Sequence, residues 1–312
     1  MTIPQPASQP ASQPASQPAS QPASQPASQP ASKVCHACGR AIADSIRLVE
    51  FSDGRCRLFQ NDFREVASLI TPGSVAAVIT DPPYGSGGFT VKDRLKSSKT
   101  KYVSSDASYQ KTLPDIDGDS LHPEAWKELM KAACAVARSV LMNGGVLAMF
   151  IDWRNKPQLQ EIIHGSGLAL RGCVAWDKGN GARPMKNGFK NQAEYLLWAT
   201  QGPTPTREPP VYLPGVLRHS TLSNGKVHIT QKPLALMEDI VQVCPPGGTV
   251  FDMFMGSGTT GVAALKHGRR FIGCESVPEY FDASVRRCRE ACPEEQTGRP
   301  ESPSANPAQS YR

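Results

Sequence analysis

The chain has 312 residues, of which 39% are hydrophobic and 20% charged, with a formal net charge of +6. That length can bury a large core in one substantial α/β domain or two modest ones, and the positive balance is compatible with a polyanionic partner without identifying one. Nine cysteines and no secretion-signal pattern predict free thiols, and no apolar run reaches membrane-spanning length, so a soluble cytoplasmic protein is expected.

Residues 1–32 repeat Pro-Ala-Ser-Gln, with a proline at every fourth position from Pro6 to Pro30 and no charged side chain. Such a segment has too little apolar surface to offset its ordering entropy, and it is expected to be disordered. The structured part is then 33–292, followed by a disordered polar tail, 293–312. Cys35-His36-Ala37-Cys38 has the spacing of half a zinc knuckle, but a second Cys-x-x-Cys is absent and no metal site is assigned.

Two short apolar runs, 46–49 and 56–59, flank Ser52-Asp53-Gly54 and predict a hairpin. A helix over 61–70 stops at Pro72-Gly73 and feeds a fully apolar strand, 75–80. Residues 85–120 are rich in Gly, Ser, Lys and Asp and read as a long loop or lid. Beyond it the pattern predicts a helix 124–141, strand 146–151, helix 156–164 and strands 169–176 and 193–199. Residues 202–225 are read as irregular. The last third predicts a helix 232–244, strand 249–254, helix 259–267, strand 270–274 and a basic helix 278–292. Strands alternating with helices imply an α/β sheet covered by helices on both faces. Cys134, Cys173, Cys244 and Cys274 sit in apolar segments and are expected in the core, while Cys288 and Cys292 share one face of the last helix.

Asp81-Pro82-Pro83-Tyr84 follows the 75–80 strand directly. Asp81 and the Pro82 carbonyl can accept the two hydrogens of an exocyclic amine, Pro83 keeps the turn rigid, and Tyr84 can stack on the base that carries it. The same string could be a turn with a packed tyrosine. At the other end of the chain, Asp252-Met253-Phe254-Met255-Gly256-Ser257-Gly258-Thr259 runs from a strand through a glycine turn into a helix. It lacks the lysine of a phosphate loop and the third glycine of the dinucleotide fingerprint. Glu275, one strand later, can accept hydrogen bonds from ribose hydroxyls. Each glycine could equally relieve a tight turn, Glu275 could cap the next helix, and Phe254 could be core.

The order of these motifs resembles the amino-methylating DNA methyltransferases, in particular their circularly permuted beta group. The resemblance spans most of 46–288 and implies a Rossmann-like methyltransferase sheet with permuted motif order. It implies S-adenosylmethionine as cofactor, double-stranded DNA as partner and methyl transfer to a flipped-out base. Asp81, Pro82, Pro83 and Tyr84 would be catalytic, and Asp252, Phe254, Gly256, Gly258, Thr259 and Glu275 would bind the cofactor. His228-Ile229-Thr230-Gln231-Lys232-Pro233 matches a further family element, in which Thr230 and Lys232 lie near the cofactor's methionine carboxylate; Thr230 could also cap the following helix.

An aspartate at the first position of the tetrapeptide tilts the expectation to adenine-N6, with cytosine-N4 as the alternative. An inactive DNA-binding or regulatory protein is the alternative of another class. Candidate DNA contacts are the loops 85–120, with Lys92, Arg94, Lys96, Lys99, Lys101, Tyr102 and Tyr109, and 201–225. Trp176-Asp177-Lys178 with Arg183 and Lys186 could form one wall of the cleft. Monomer and homodimer are both compatible with the sequence, and a partner restriction nuclease is not specified by it.

Overall fold

The computed structural model describes residues 43, 45–85, 121–179, 186–221 and 231–292. The repeat, Cys35 and Cys38, the loop beyond Gly85, Arg183, Thr230 and the tail lie outside the described residues.

The hairpin forms as β1 (Arg47–Phe51) and β2 (Cys56–Gln60), antiparallel, about a turn in which Ser52, Asp53 and Gly54 have φ of 54°, 50° and 74°. β3 (Val75–Thr80) is buried along its whole length, which is why its sequence shows no polar alternation. The helix before it is shorter than expected. Asp62 caps α1 (Phe63–Val66) by accepting from the Arg64 N–H at 2.8 Å, and the chain then tightens into a 3-10 turn, Ala67–Leu69.

α2 (Pro123–Val140) opens on a proline and buries Trp126, Met130, Ala133, Cys134 and Ala137 along one stripe. It passes without a loop into β4 (Leu141–Ile151), five residues earlier than the apolar run suggests. Asn143-Gly144-Gly145, which reads as a helix stop, is an irregularity inside that strand. The pairing with β3 shifts between Val75/Leu141 and Ala77/Val146, and Gly144 has φ +79°.

α3 (Lys156–Gly165), β5 (Ala169–Asp177) and β6 (Ala193–Thr200) follow as expected. The segment 202–225 is not wholly irregular: β7 (Val216–Arg218) pairs parallel with β5 at the sheet edge, and a strand this short leaves no period to detect. α4 (Leu234–Ile240), β8 (Thr249–Asp252), α5 (Thr259–Lys266), β9 (Arg270–Glu275) and α6 (Pro278–Glu290) complete the described chain.

The nine strands form one sheet in the order β1-β2-β9-β8-β3-β4-β6-β5-β7. From β2 to β4 all neighbours are parallel, and β6 is antiparallel to both β4 and β5. One core packs α1, α2 and α3 on one face through Phe63, Trp126, Met130 and Leu159. The other packs α4, α5 and α6 on the opposite face through Leu236, Val262, Phe281 and Cys288.

Cys134, Cys244 and Cys274 are buried as expected; Cys288 and Cys292 are also buried, but α6 ends at Glu290, so Cys292 lies past the helix on which both were expected. Cys173 is a correction: it is exposed, because β5 lies next to the sheet edge and turns alternate side chains to solvent. Among the described residues no helix is long and apolar enough to cross a membrane.

Candidate active site

β3 and β8 are hydrogen-bonded neighbours, with Ala77 opposite Val250 and Val78 opposite Phe251. From β3 the chain continues to β4 on one side, and from β8 to β9 on the other. The crevice of an open α/β sheet lies at such a reversal, beyond the carboxyl ends of the strands, and there Asp81 and Asp252 meet.

Asp252 is 2% exposed, and both its oxygens are used by the chain itself. Oδ1 accepts from the Thr80 hydroxyl at 2.7 Å and the Phe254 N–H at 3.1 Å, and Oδ2 accepts from the Thr260 hydroxyl at 2.6 Å. Burial pushes its carboxyl up to about 6, against these hydrogen bonds. Asp252 therefore fastens the end of β3, the glycine turn and the start of α5 together.

In that turn Gly256 and Gly258 have φ of 51° and 80°, the left-handed region that favours glycine. A Cβ on Gly258 would also stand 2.9 Å from Ser284 Cβ on α6. Arg287, also on α6, donates to the Ser257 carbonyl at 2.5 Å and to the Thr259 hydroxyl at 3.2 Å, so the turn is clamped from behind. Phe254 is half-buried and meets Phe63 at 5.1 Å between ring centroids.

Glu275 ends β9 beside this turn. Its Oε2 accepts from the Gly256 N–H at 2.9 Å and its Oε1 from the Val277 N–H at 2.8 Å. A carboxylate is an acceptor with room for more than these bonds, which suits the donating hydroxyls of a ribose diol. Burial raises the Glu275 carboxyl to about 7.

At the end of β3 the tetrapeptide is braced from two helices. The Trp126 indole donates to the Pro83 carbonyl at 2.9 Å, and the Asn155 amide donates to the Tyr84 carbonyl at 2.7 Å. Lys232, just before α4, donates to Asp81 Oδ2 at 2.5 Å and to the Tyr84 hydroxyl at 3.1 Å. Its ammonium also lies 4.9 Å from the Phe150 ring centroid and 5.7 Å from that of Trp176.

The Tyr84 hydroxyl donates to Glu194 at 2.8 Å, and Lys178 donates to the other Glu194 oxygen at 3.2 Å. Burial lowers the affinity of Lys232 for its proton, but the Asp81 and Glu194 charges outweigh it and hold its pKa above the ordinary value. Burial raises Asp81, opposed by Lys232 and aided by Glu194. Asp81 Oδ1 is buried and has no hydrogen-bond donor among the described residues.

The predicted residues thus fall into two adjoining groups. Asp81, Pro82, Pro83 and Tyr84 form one wall, and Asp252, Phe254, Gly256, Gly258, Thr259 and Glu275 form the other. Lys232, expected at the cofactor, stands on Asp81 and Tyr84. Glu194, Arg287, Trp126 and Asn155 were not singled out from the sequence. Arg287 is one of several arginines in the basic last helix with nothing in the sequence to distinguish it, and nothing local marks a glutamate at a strand start as buried.

A family model described as DNA methylase, of the N6/N4 methyltransferase type, matches residues 75–286, more than half of the chain. This chain belongs to the N6/N4 DNA methylase family. It is similar to the type II methyltransferase M2.DpnII of Streptococcus pneumoniae, with 25% identity over 258 residues, 76% of this chain and 91% of that protein. Among solved structures it resembles the M1.HpyAVI–SAM complex, with TM-score 0.54, 23% identity, and coverage of 74% of this chain and 98% of that one. It also resembles the PvuII DNA methyltransferase (cytosine-N4-specific), with TM-score 0.54, 20% identity, and coverage of 74% and 86%. The fold of this DNA methylase family member is therefore the Rossmann-like sheet of the S-adenosylmethionine-dependent methyltransferases.

Proposed function

We propose that this DNA methyltransferase acts on adenine-N6, on a base rotated out of the duplex, and that Asp81 and Tyr84 hold the target while Glu275 and the glycine turn hold the cofactor. The observation that carries the reading is the buried Asp81 Oδ1 acceptor without a donor, beside the braced Tyr84. The exocyclic amine of a base in a duplex is paired and shielded, so bringing it to a recessed acceptor calls for rotation of the base out of the stack. The aspartate at the first position of the tetrapeptide favours adenine over cytosine.

S-adenosylmethionine is the cofactor; when bound, it supplies an electrophilic methyl group. The chain fits it: a carboxylate with spare lone pairs at Glu275, a left-handed glycine turn that allows close approach, and the half-buried Phe254 ring lie side by side. Asp81 Oδ1 and the Pro82 carbonyl accept the two amine hydrogens. Those bonds turn the nitrogen lone pair out of conjugation with the ring and aim it at the methyl. The contribution is positioning and preorganised charge, with no covalent enzyme intermediate. The methyl group leaves sulfur for nitrogen, and the proton that the amine then loses passes to the Asp81 carboxylate that accepts its hydrogen bond.

Lys186, Phe189 and Lys190 are exposed on the segment leading into β6, with Phe189 96% accessible, and Arg218 is exposed on β7, 3.8 Å from Asp177. Basic side chains on the same short segment as an exposed aromatic ring suit a nucleic-acid strand and support this loop as a wall of the DNA cleft. The likeness to a type II methyltransferase supports a place in restriction-modification.

The test is to incubate the purified protein with unmethylated DNA and methyl-labelled S-adenosylmethionine, digest the DNA and identify labelled nucleosides by mass spectrometry. N6-methyladenine is expected. Label in N4-methylcytosine keeps the mechanism and overturns the base assignment, and absence of label in DNA from a folded, cofactor-binding protein overturns the function.

A further inference from the structure

Glu194 reaches the site by an inverted route. β6 runs antiparallel to β4 and β5, so its first residues, not its last, lie level with the carboxyl ends of the parallel strands. Glu194 pairs with Trp176 in β5, and its side chain is 18% exposed. Its Oε2 takes the Tyr84 hydroxyl at 2.8 Å and stands 3.4 Å from the Lys232 ammonium, and its Oε1 takes Lys178 at 3.2 Å.

Two consequences follow from this geometry. The Tyr84 hydroxyl accepts from Lys232 and donates to Glu194, so rotation of the ring out of its plane breaks two hydrogen bonds. The ammonium of Lys232, with donors in several directions, faces two carboxylates instead of one. It bonds Asp81 through Oδ2 alone, and Oδ1 remains available. A lysine facing only Asp81 would be drawn between both of its oxygens and would occupy the place of the target amine.

We infer that Glu194 is a positioning residue for methyl transfer: it locks the Tyr84 ring and shares Lys232 with Asp81, leaving one Asp81 oxygen free for the target amine. The inference rests on the amine-holding role proposed above. The charged and titratable groups around Asp81 are Lys232 before α4, Glu194 on β6, Tyr84 on its own segment and Asp252 on β8, with Lys178 acting through Glu194. Of these, Glu194 opposes ionisation of Asp81, so removing its charge lowers the pH at which Asp81 titrates.

The experiment uses the full chain with Glu194→Gln and Glu194→Asp. It reads the Asp81 carboxyl by carbon NMR of aspartate-labelled protein, with Asp81→Asn for assignment, alongside kcat against pH and the cofactor Kd. Glu194→Gln is expected to move the Asp81 titration to lower pH, and the acidic limb of kcat with it. It is also expected to lower the kcat plateau about 30-fold while leaving the cofactor Kd within about twofold.

Glu194→Asp keeps the charge but withdraws it from Tyr84, so it should keep the Asp81 titration and still lose turnover. An unchanged Asp81 titration and kcat in Glu194→Gln overturns the inference, and so does a parallel loss of cofactor affinity. If Glu194→Gln does not fold, wild-type turnover in Glu194→Asp overturns it. If the wild type itself transfers no methyl to DNA, the functional reading falls while the Asp81 titration still decides the sharing of Lys232.

Discussion

Cofactor affinity should depend on pH through Glu275. With its carboxyl raised to about 7 by burial, the unliganded protein carries this group roughly half ionised at neutral pH. Ribose hydroxyls donating to it favour the ionised form, so binding and proton release are linked. If only the carboxylate binds well, the competent fraction rises from about one-tenth at pH 6 to about nine-tenths at pH 8. Affinity then strengthens about tenfold, or about 1.4 kcal/mol, across that interval and levels off above it. The sign is opposite for stability without ligand: a carboxyl whose folded value lies above its ordinary 4.5 binds its proton more tightly in the folded state. Its contribution therefore falls as pH rises from about 4.5 to about 7. Isothermal titration with S-adenosylmethionine between pH 6 and 8 reads the first effect, and Glu275→Gln serves as the control for ionisation of the cofactor itself. That variant should bind more weakly and lose the part of the pH dependence that the wild type owes to Glu275. A wild-type Kd that is flat over this range, or one whose slope Glu275→Gln reproduces, refutes the ribose contact.

Asp81→Ala should keep the cofactor Kd within about twofold in the same titration while lowering kcat by about 1,000-fold or more, because the acceptor it removes acts on the amine. Equal loss of both would place Asp81 at the cofactor instead. Thr80→Val deletes one of the hydroxyls that satisfy buried Asp252 and should cost about 1–3 kcal/mol of stability, read as a lower midpoint in denaturant. Gly258→Ala forces a side chain into a left-handed position with its Cβ 2.9 Å from Ser284 Cβ, and it should destabilise the protein by about 1–3 kcal/mol and weaken cofactor binding. Native-like melting and cofactor titration of that variant would show that α6 yields more easily than its packing suggests.

The alternation of strands and helices was legible because β3, β4 and β8 are buried on both faces and read as apolar runs. The tetrapeptide and the glycine turn were legible because prolines and glycines restrict or free the backbone in ways few other residues do. What escaped has a common cause. β7 is only three residues long, and the glycines of β4 look like a turn until the partner strand shows that they are absorbed as a bulge. Lys232 is found 151 residues from the carboxylate it bonds, and Tyr84 is 110 from Glu194. No window along the chain contains either pair, so the charge balance of the site becomes visible only when the sheet has brought β6 and the start of α4 to the end of β3.

The separation between Asp81 and Lys232 has a consequence for synthesis. The Asp81 wall, proposed above to hold the target amine, leaves the ribosome well before Lys232 and before β8 and β9, where the cofactor is proposed to sit. Of the two lysines that pair with these carboxylates, Lys178 precedes Glu194 in the chain, whereas Lys232, the one that bonds Asp81, is made only after β6. Closing that pocket must wait for the last third of the polypeptide, so an unfinished copy of this enzyme has no folded place in which to hold a methyl donor against a base.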